Sequence, residues 1–382
     1  MSASDGGIDI TRVRTVPVTE RPNKVRAEEF ARPPGADRSF AAFLDSLPDI
    51  LQARSFRAVV DAMVDAARAG NAVVCMLGGH VVKTGLGPVL IDLVERGVIT
   101  HLASNGSAVI HDYEMARWGG TSEDVEAGLA DGSFGMAEET GREMNEAIRA
   151  GARHGWGLGE SLARALEART DLRHPELSLL LAARRAGIHF TVHAAIGAEI
   201  IHQHPAADGA AIGQTSYTDF RRLSAHLARL EGGVVLNIGS AVVMPEVFLK
   251  ALTICRNVND GAPRGFTAVD FDMLRHYRPR VNVVERPTRT GGGVGYQITG
   301  HHEIMIPLLA WAVVERLEAG AGGLDTATAR GEAAAGEREG VGAGTNAGGA
   351  VRAAGAAPTA EAARSAAVRS EALRSEAEAA EA

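Results

Sequence analysis

The 382-residue sequence predicts an α/β fold, with a doubly wound and mostly parallel sheet. Three observations carry that expectation. Apolar runs of strand length alternate with longer stretches of helical period. Glycines and polar side chains follow most of those runs, at the strand ends where such sheets meet ligands. The chain is 46% hydrophobic, enough to bury one large core or two modest ones.

Residues 1–40 are polar and broken by "RPN" and "ARPPGAD", which reads as an N-terminal extension. From Phe40 to Ala69 the pattern is helical and amphipathic, interrupted near Pro48 and stopped by Gly70. "NAVVCMLGG" follows as a buried strand, and "GLGPVLIDLVERG" as a helix with Pro88 in its first turn. "VITHLASNG" is the next strand and "AVIHDYEMARWG" the next helix. Farther on, "PELSLLLAARRAG" is helical, "IHFTVHAAIG" a strand, "SYTDFRRLSAHLARLEGG" a helix and "VVLNIGS" a strand. "MPEVFLKALTICRNV" is helical, "RVNVVERP" extended, and "HHEIMIPLLAWAVVERLEAG" the final helix. One ordered domain is expected over residues 41–320. Residues 321–382 turn to Ala, Gly, Glu and Arg. Such a composition does not offset its ordering entropy, and disorder is expected there.

Composition narrows the function classes. A net charge of −8 without a basic block speaks against a sequence-independent grip on nucleic acid. No apolar run is long enough to span a bilayer, and the N-terminus lacks a signal-peptide stretch. A soluble, cytoplasmic chain without membrane partners is therefore expected. Cys75 and Cys255 lie in apolar segments and read as reduced, buried thiols. Of 39 basic residues only Lys24, Lys83 and Lys250 are lysines, so 39 − 3 leaves 36 arginines. Lys83 stands in a glycine-rich loop, where a desolvated amine can shed its proton and a guanidinium cannot.

Polar groups gather at the expected strand ends. "GGHVVKTGLG" brings His80, Lys83 and Thr84, though it carries neither the GK[ST] ending of a P-loop nor a GxGxxG fingerprint. "SNGSAVIHD" brings Ser104, Asn105, Ser107, His111 and Asp112. "IHFTVHAAIGAEIIHQHPAADG" brings His193, Glu199, His202, His204 and Asp208. Asn237 and Ser240 border Gly239, and "TGHHE" adds His301 and His302 before a helix, to meet an anion or to cap. Seven of the 13 histidines gather there: His80, His111, His193, His202, His204, His301 and His302. In an extended segment His202 and His204 share one side, which suits a metal. A third ligand would come from Asp208, Glu199 or His193, but the spacing matches no zinc signature and no metal is assigned.

In order and spacing these segments resemble the deoxyhypusine synthase family, over roughly Ala72 to Leu317. "GGHVVKTGLGPVLIDLVERGVITHLASNGSAVIHD" is similar to the family's first cofactor segment and its Thr-Thr-Ala-Gly-Gly turn. "FTVHAAIGAEIIHQH" stands at its Thr-Asp-Gly-Ser strand end, "GGVVLNIGSAVVM" at its Gly-Gly-Gly loop, and "TGHHEIMIPLLA" at its Ala-Asp-Ala-Ser segment. The resemblance implies a Rossmann-like fold, a homotetramer with sites at dimer interfaces, and bound NAD. It implies oxidation of spermidine by hydride transfer, then passage of the aminobutyl group through an enzyme lysine imine to a protein lysine. By position, Gly79, Thr84, Gly85, Ser104, Asn105, Gly106, Gly239 and Ser240 would border the cofactor.

The family's imine-forming lysine is replaced here by Met244. A thioether forms no imine, so that transfer is not expected. Ile196 and its neighbours stand where the strand-end aspartates would be, which implies a substrate less cationic than a polyamine. The expectation is an NAD-binding enzyme acting on a small amine or amino acid. Its catalytic candidates are Lys83, His111, His193 and His202, because imidazole titrates near neutral pH and an amine forms imines. Asp112, Glu199, His204, Asp208, His301 and His302 are the substrate-binding candidates. Two alternatives stay open: a metal-dependent hydrolase or lyase using His202 and His204, and a non-catalytic ligand-binding homologue.

Overall fold

A computed structural model describes residues 8–335. Six strands form one sheet: β1 Val73–Leu77, β2 His101–Asn105, β3 His189–His193, β4 Val234–Ile238, β5 Thr267–Asp272 and β6 Val294–Thr299. Their order is β3-β2-β1-β4-β5-β6 and every pairing is parallel. This is the doubly wound arrangement of a Rossmann-like fold. Its direction of winding reverses between β1 and β4.

All five residues of β1 are buried, as a strand covered on both faces requires. Val73, Cys75 and Leu77 point into one core, built with α2 (Leu51–Ala69), α4 (Gly87–Glu95), α5 (Gly106–Trp118), α9 (Leu179–Arg185) and α12 (His302–Ala335). Val74 and Met76 point into the other, against α10 (Gly209–His226) and α11 (Val243–Val258). The helix stops follow the sequence. Gly70 closes α2 at φ 70° and returns its N–H to Ala66 and Ala67, and Pro88 sits in the first turn of α4.

Other elements depart from the reading. The "RVNVVERP" stretch is not extended: Pro279–Glu285 forms a π-helical turn burying Val281, Val283 and Val284. A short β-branched run looks alike in a strand and in a buried helical turn. The last two strands, β5 and β6, come instead from "TAVDFD" and "VGYQIT". Helix α10 starts at Gly209, capped by the Asp208 carboxylate on the Ala210 and Ala211 amides. Between α5 and β3 lie further helices, α6 (Val125–Asp131), α7 (Glu138–His154) and α8 (Leu158–Glu167).

The chain divides into two units, Met1–Asp325 and Thr326–Ala382. The second is described only over 326–335, where it is helical. Most of the expected tail, and the first seven residues of the N-terminal extension, lie outside the described residues. Before Phe40 the described part of the extension is exposed but for the half-buried Glu29, which pairs with Arg54 at 2.7 Å. No described helix is long and apolar enough to cross a membrane.

Candidate functional site

Two glycines meet where the winding reverses. A Cβ on Gly78, at the tip of β1, would overlap the Gly239 carbonyl oxygen at the tip of β4. Gly239 itself has φ 68°, a left-handed conformation that suits glycine, and packs on the His302 ring. His302 donates from Nε2 to the Phe271 carbonyl at 3.0 Å, so its buried Nδ1 is an unpaired acceptor. Asn237, buried in β4, donates to Asp270 and to the Ser240 carbonyl and leaves its Oδ1 unpaired. The Ser240 hydroxyl accepts the Met244 amide at 3.1 Å.

The principal cavity lies to one side of this point, beyond the tips of β1 and β2. It encloses about 730 Å³ and is walled by α3 (Gly79–Lys83), α5 and the chain from 120 to 140. Close packing of α3 on α5 builds its floor: a Cβ on Gly79 would come within 2.6 Å of the Ser107 hydroxyl. That docking brings Lys83, exposed at the end of α3, to the same cavity as His111 of α5.

His111 is held there through a chain of side-chain hydrogen bonds. Its Nδ1 lies 2.7 Å from the Thr121 hydroxyl. Thr121 donates to Glu114 at 2.5 Å, and Thr140 donates to the other Glu114 oxygen at 2.9 Å. Burial, then the charge of Lys83, hold the His111 imidazole below its ordinary pKa. All four of these side chains line the cavity.

Glu199 lines the opposite wall. One oxygen accepts the Gly106 and Ala195 amides, each at 2.9 Å, which places the carboxylate at the N-terminus of α5. Burial raises its pKa and the amide bonds pull the other way. His202 accepts the Gly197 amide on Nδ1 at 3.2 Å and turns Nε2 toward Glu199 at 3.4 Å. His202 thus reaches the cavity only through Glu199. The carboxylates of Glu114, Glu123, Glu139 and Glu199 outnumber the single lysine on the walls.

Other expected site residues do not line the cavity. Asp112 caps α9, accepting the Leu179 amide at 2.6 Å and the Ser178 hydroxyl at 2.7 Å. Burial pushes its carboxyl up to about 6 against those bonds. His193 is buried at the end of β3, 3.2 Å from the Thr191 hydroxyl, and burial drops its pKa to about 3. His204 contacts Glu138 of α7 at 3.0 Å, and Asp208 is the cap of α10. His301 is exposed at the start of α12. Thr84 donates to the His80 carbonyl, Ser104 to that of Asn105, and Asn105 accepts from Ser107. Gly85 is an open turn at φ 85°.

His202 and His204 do not lie on one extended side, since Ile200–Gln203 is a 3₁₀ turn that sends them to different carboxylates. Among the described residues no group of three His, Cys, Asp or Glu is placed to hold a metal ion. Glu114, Thr121 and Thr140 escaped the sequence reading. Glu114 had a signal, lying three residues after His111 and so on the same helical face.

No family model matches the chain, and no curated protein matches it. Among solved structures it is similar to ArgZ, an arginine dihydrolase from the ornithine–ammonia cycle in cyanobacteria, at 15% identity over 69% of this chain and 33% of that one, TM-score 0.40. It is similar to AgrE in ternary complex with ornithine and NAD+, at 17% identity over 69% and 33%, TM-score 0.45. A candidate deoxyhypusine synthase from Entamoeba histolytica is similar at 10% identity over 72% and 93%, TM-score 0.41. The chain spans about a third of the length of ArgZ and AgrE.

Proposed function

We propose that the chain is an enzyme of deoxyhypusine-synthase-like type that binds NAD and acts on a small amine or amino acid within the 730 Å³ cavity. One observation carries the reading: His111, in that cavity, has Nδ1 engaged by Thr121 and its Nε2 without a hydrogen bond to any described residue. A neutral imidazole so placed takes a proton from a substrate ammonium or from a carbon beside it. The wall glutamates attract a cationic amine. Lys83 anchors a carboxylate or, once deprotonated, forms an imine with a carbonyl product.

The residues at the β1–β4 reversal fit a dinucleotide in one respect. The His302 Nδ1 and Asn237 Oδ1 acceptors are buried and unpaired, and ribose hydroxyls and the nicotinamide carboxamide are donors. Gly79, Gly239 and Ser240 would hold NAD beside them, together with Thr84, Gly85 and the Ser104–Gly106 turn. When bound, NAD would supply a hydride acceptor. Aminobutyl transfer through residue 244 is excluded from the proposal, because Met244 is fully buried in the core between α10 and α11. The resemblance adds a homotetramer to the proposal, which sedimentation checks.

Equilibrium dialysis with NAD tests the reading first, and no binding at millimolar concentration would remove its cofactor. A screen of small amines and amino acids for NAD reduction tests it second. His111→Asn is expected to cut turnover by about 100-fold while NAD still binds. An unchanged rate would remove His111 from the reaction.

A further inference from the structure

We propose that Thr121, backed by Glu114, is a positioning residue that fixes His111 in one tautomer, with hydrogen on Nδ1 and a bare Nε2 turned to the cavity. This inference rests on the reading of the cavity as a substrate site.

The argument is a hydrogen count. A threonine hydroxyl has one hydrogen to give. Thr121 gives it to Glu114 at 2.5 Å. Thr140 gives its own hydrogen to the second Glu114 oxygen at 2.9 Å. Glu114 thus accepts at both oxygens. At 2.7 Å the His111 Nδ1 must therefore be the donor and Thr121 the acceptor. The opposite tautomer would set the Nδ1 lone pair against an oxygen already committed to the carboxylate.

The interposed hydroxyl matters chemically. A carboxylate bonded straight to an imidazole orients it and also favours its charged form. Routed through a neutral hydroxyl, Glu114 orients the ring with less pull toward imidazolium, which leaves the base unprotonated for its task.

Thr121 belongs to the stretch that walls the cavity between α5 and α7. Gly119 at φ 76° and Gly120 precede it, and Gly135 at φ 76° follows α6. Within the stretch, the Gly135 amide donates to Glu123 at 3.0 Å, and Gly128 packs on Phe134. The wall and the group that orients the base are one covalent piece, so the tautomer is set while the wall is in place.

Ring-nitrogen NMR of histidine-labelled protein reads the tautomer without any substrate, with His111 assigned through His111→Asn. The expected wild-type result is a protonated Nδ1 and an unprotonated Nε2. Thr121→Ser is expected to keep that pattern, and Thr121→Val to shift it toward the Nε2–H form. A wild-type Nε2–H tautomer, or no change in Thr121→Val, overturns the positioning role, and the wild-type measurement decides even where the valine variant does not fold. Dialysis with NAD decides the cofactor reading separately, so the failure of one is distinguishable from the failure of the other. Once a substrate is in hand, Thr121→Val is expected to lower kcat by about 100-fold with KM little changed.

Discussion

The Glu199 carboxylate lies so close to Gly106 that residue 106 admits no side chain: a Cβ there would overlap the Glu199 carboxyl, whose Oε1 accepts the Gly106 amide at 2.9 Å. Gly106→Ala is expected to expel Glu199 and destabilise the fold by about 1–3 kcal/mol, as overpacking does. In a Glu199→Ala background the same alanine is expected to cost at least 1 kcal/mol less, on the order of a contact coupling. Urea denaturation of the four proteins checks this, and additive costs would deny the contact.

Asp112 and His111 are neighbours in sequence with opposite duties. Asp112→Ala strands the Ser178 hydroxyl and the α9 amides, and is expected to cost about 2–4 kcal/mol. It is expected to leave the affinity for cavity ligands unchanged. His111→Asn is expected to do the reverse. Paired denaturation and binding measurements separate the two.

Met244→Lys restores the residue type of the resembled family and is expected to fail. The side chain is fully buried among Phe248, Leu252 and their neighbours. The expected loss is several kcal/mol, with no aminobutyl transfer gained. Thermal denaturation and a transfer assay check both halves, and a stable, transferring variant would refute them.

A second set of histidines sits apart from the cavity, on the sheet face toward α10. His101 lies 3.0 Å from the Thr191 hydroxyl and 4.6 Å, ring to ring, from His226. Burial drops His226 to about 4 and His193 to about 3. Each folded pKa lies below the unfolded value near 6.5, so the unfolded chain binds more protons between the two values. Their contribution is complete above pH 6.5 and is lost as pH falls toward 4 and 3. Buried Asp112, Asp219 and Asp270, raised to about 6, 7 and 6, act in the opposite sense over part of that range. The difference between proteins isolates the histidine: His193→Gln is expected to flatten stability against pH below 6.5 by up to about 1.4 kcal/mol per unit. Parallel slopes for wild type and variant would contradict it.

The alternation of apolar runs and helical patterns was legible because burial on two faces leaves continuous Val, Leu and Ile runs, as in β1 and β4. Gly70, Pro88 and the cluster at the strand ends were legible for reasons equally local. β5 and β6 were not. "VGYQIT" is half-exposed at the sheet edge and carries a weak apolar signal, while the buried "RVNVVERP" carried a strong one. Residues 120–174 lie outside the elements read from the sequence, and half of the cavity wall lies within them.

The chain order by itself determined the alternating architecture, the glycines at strand tips, and a methionine, which forms no imine, at residue 244. Only tertiary structure decided which imidazole faces a cavity. Histidines with the same local look went to different fates: His111 to Thr121, His193 to a buried strand face, His204 to Glu138, His302 to a backbone carbonyl. The physical reason is that an imidazole's role depends on the donor or acceptor set opposite it. Those partners come from segments tens of residues away, and only the folded sheet brings them within hydrogen-bond distance.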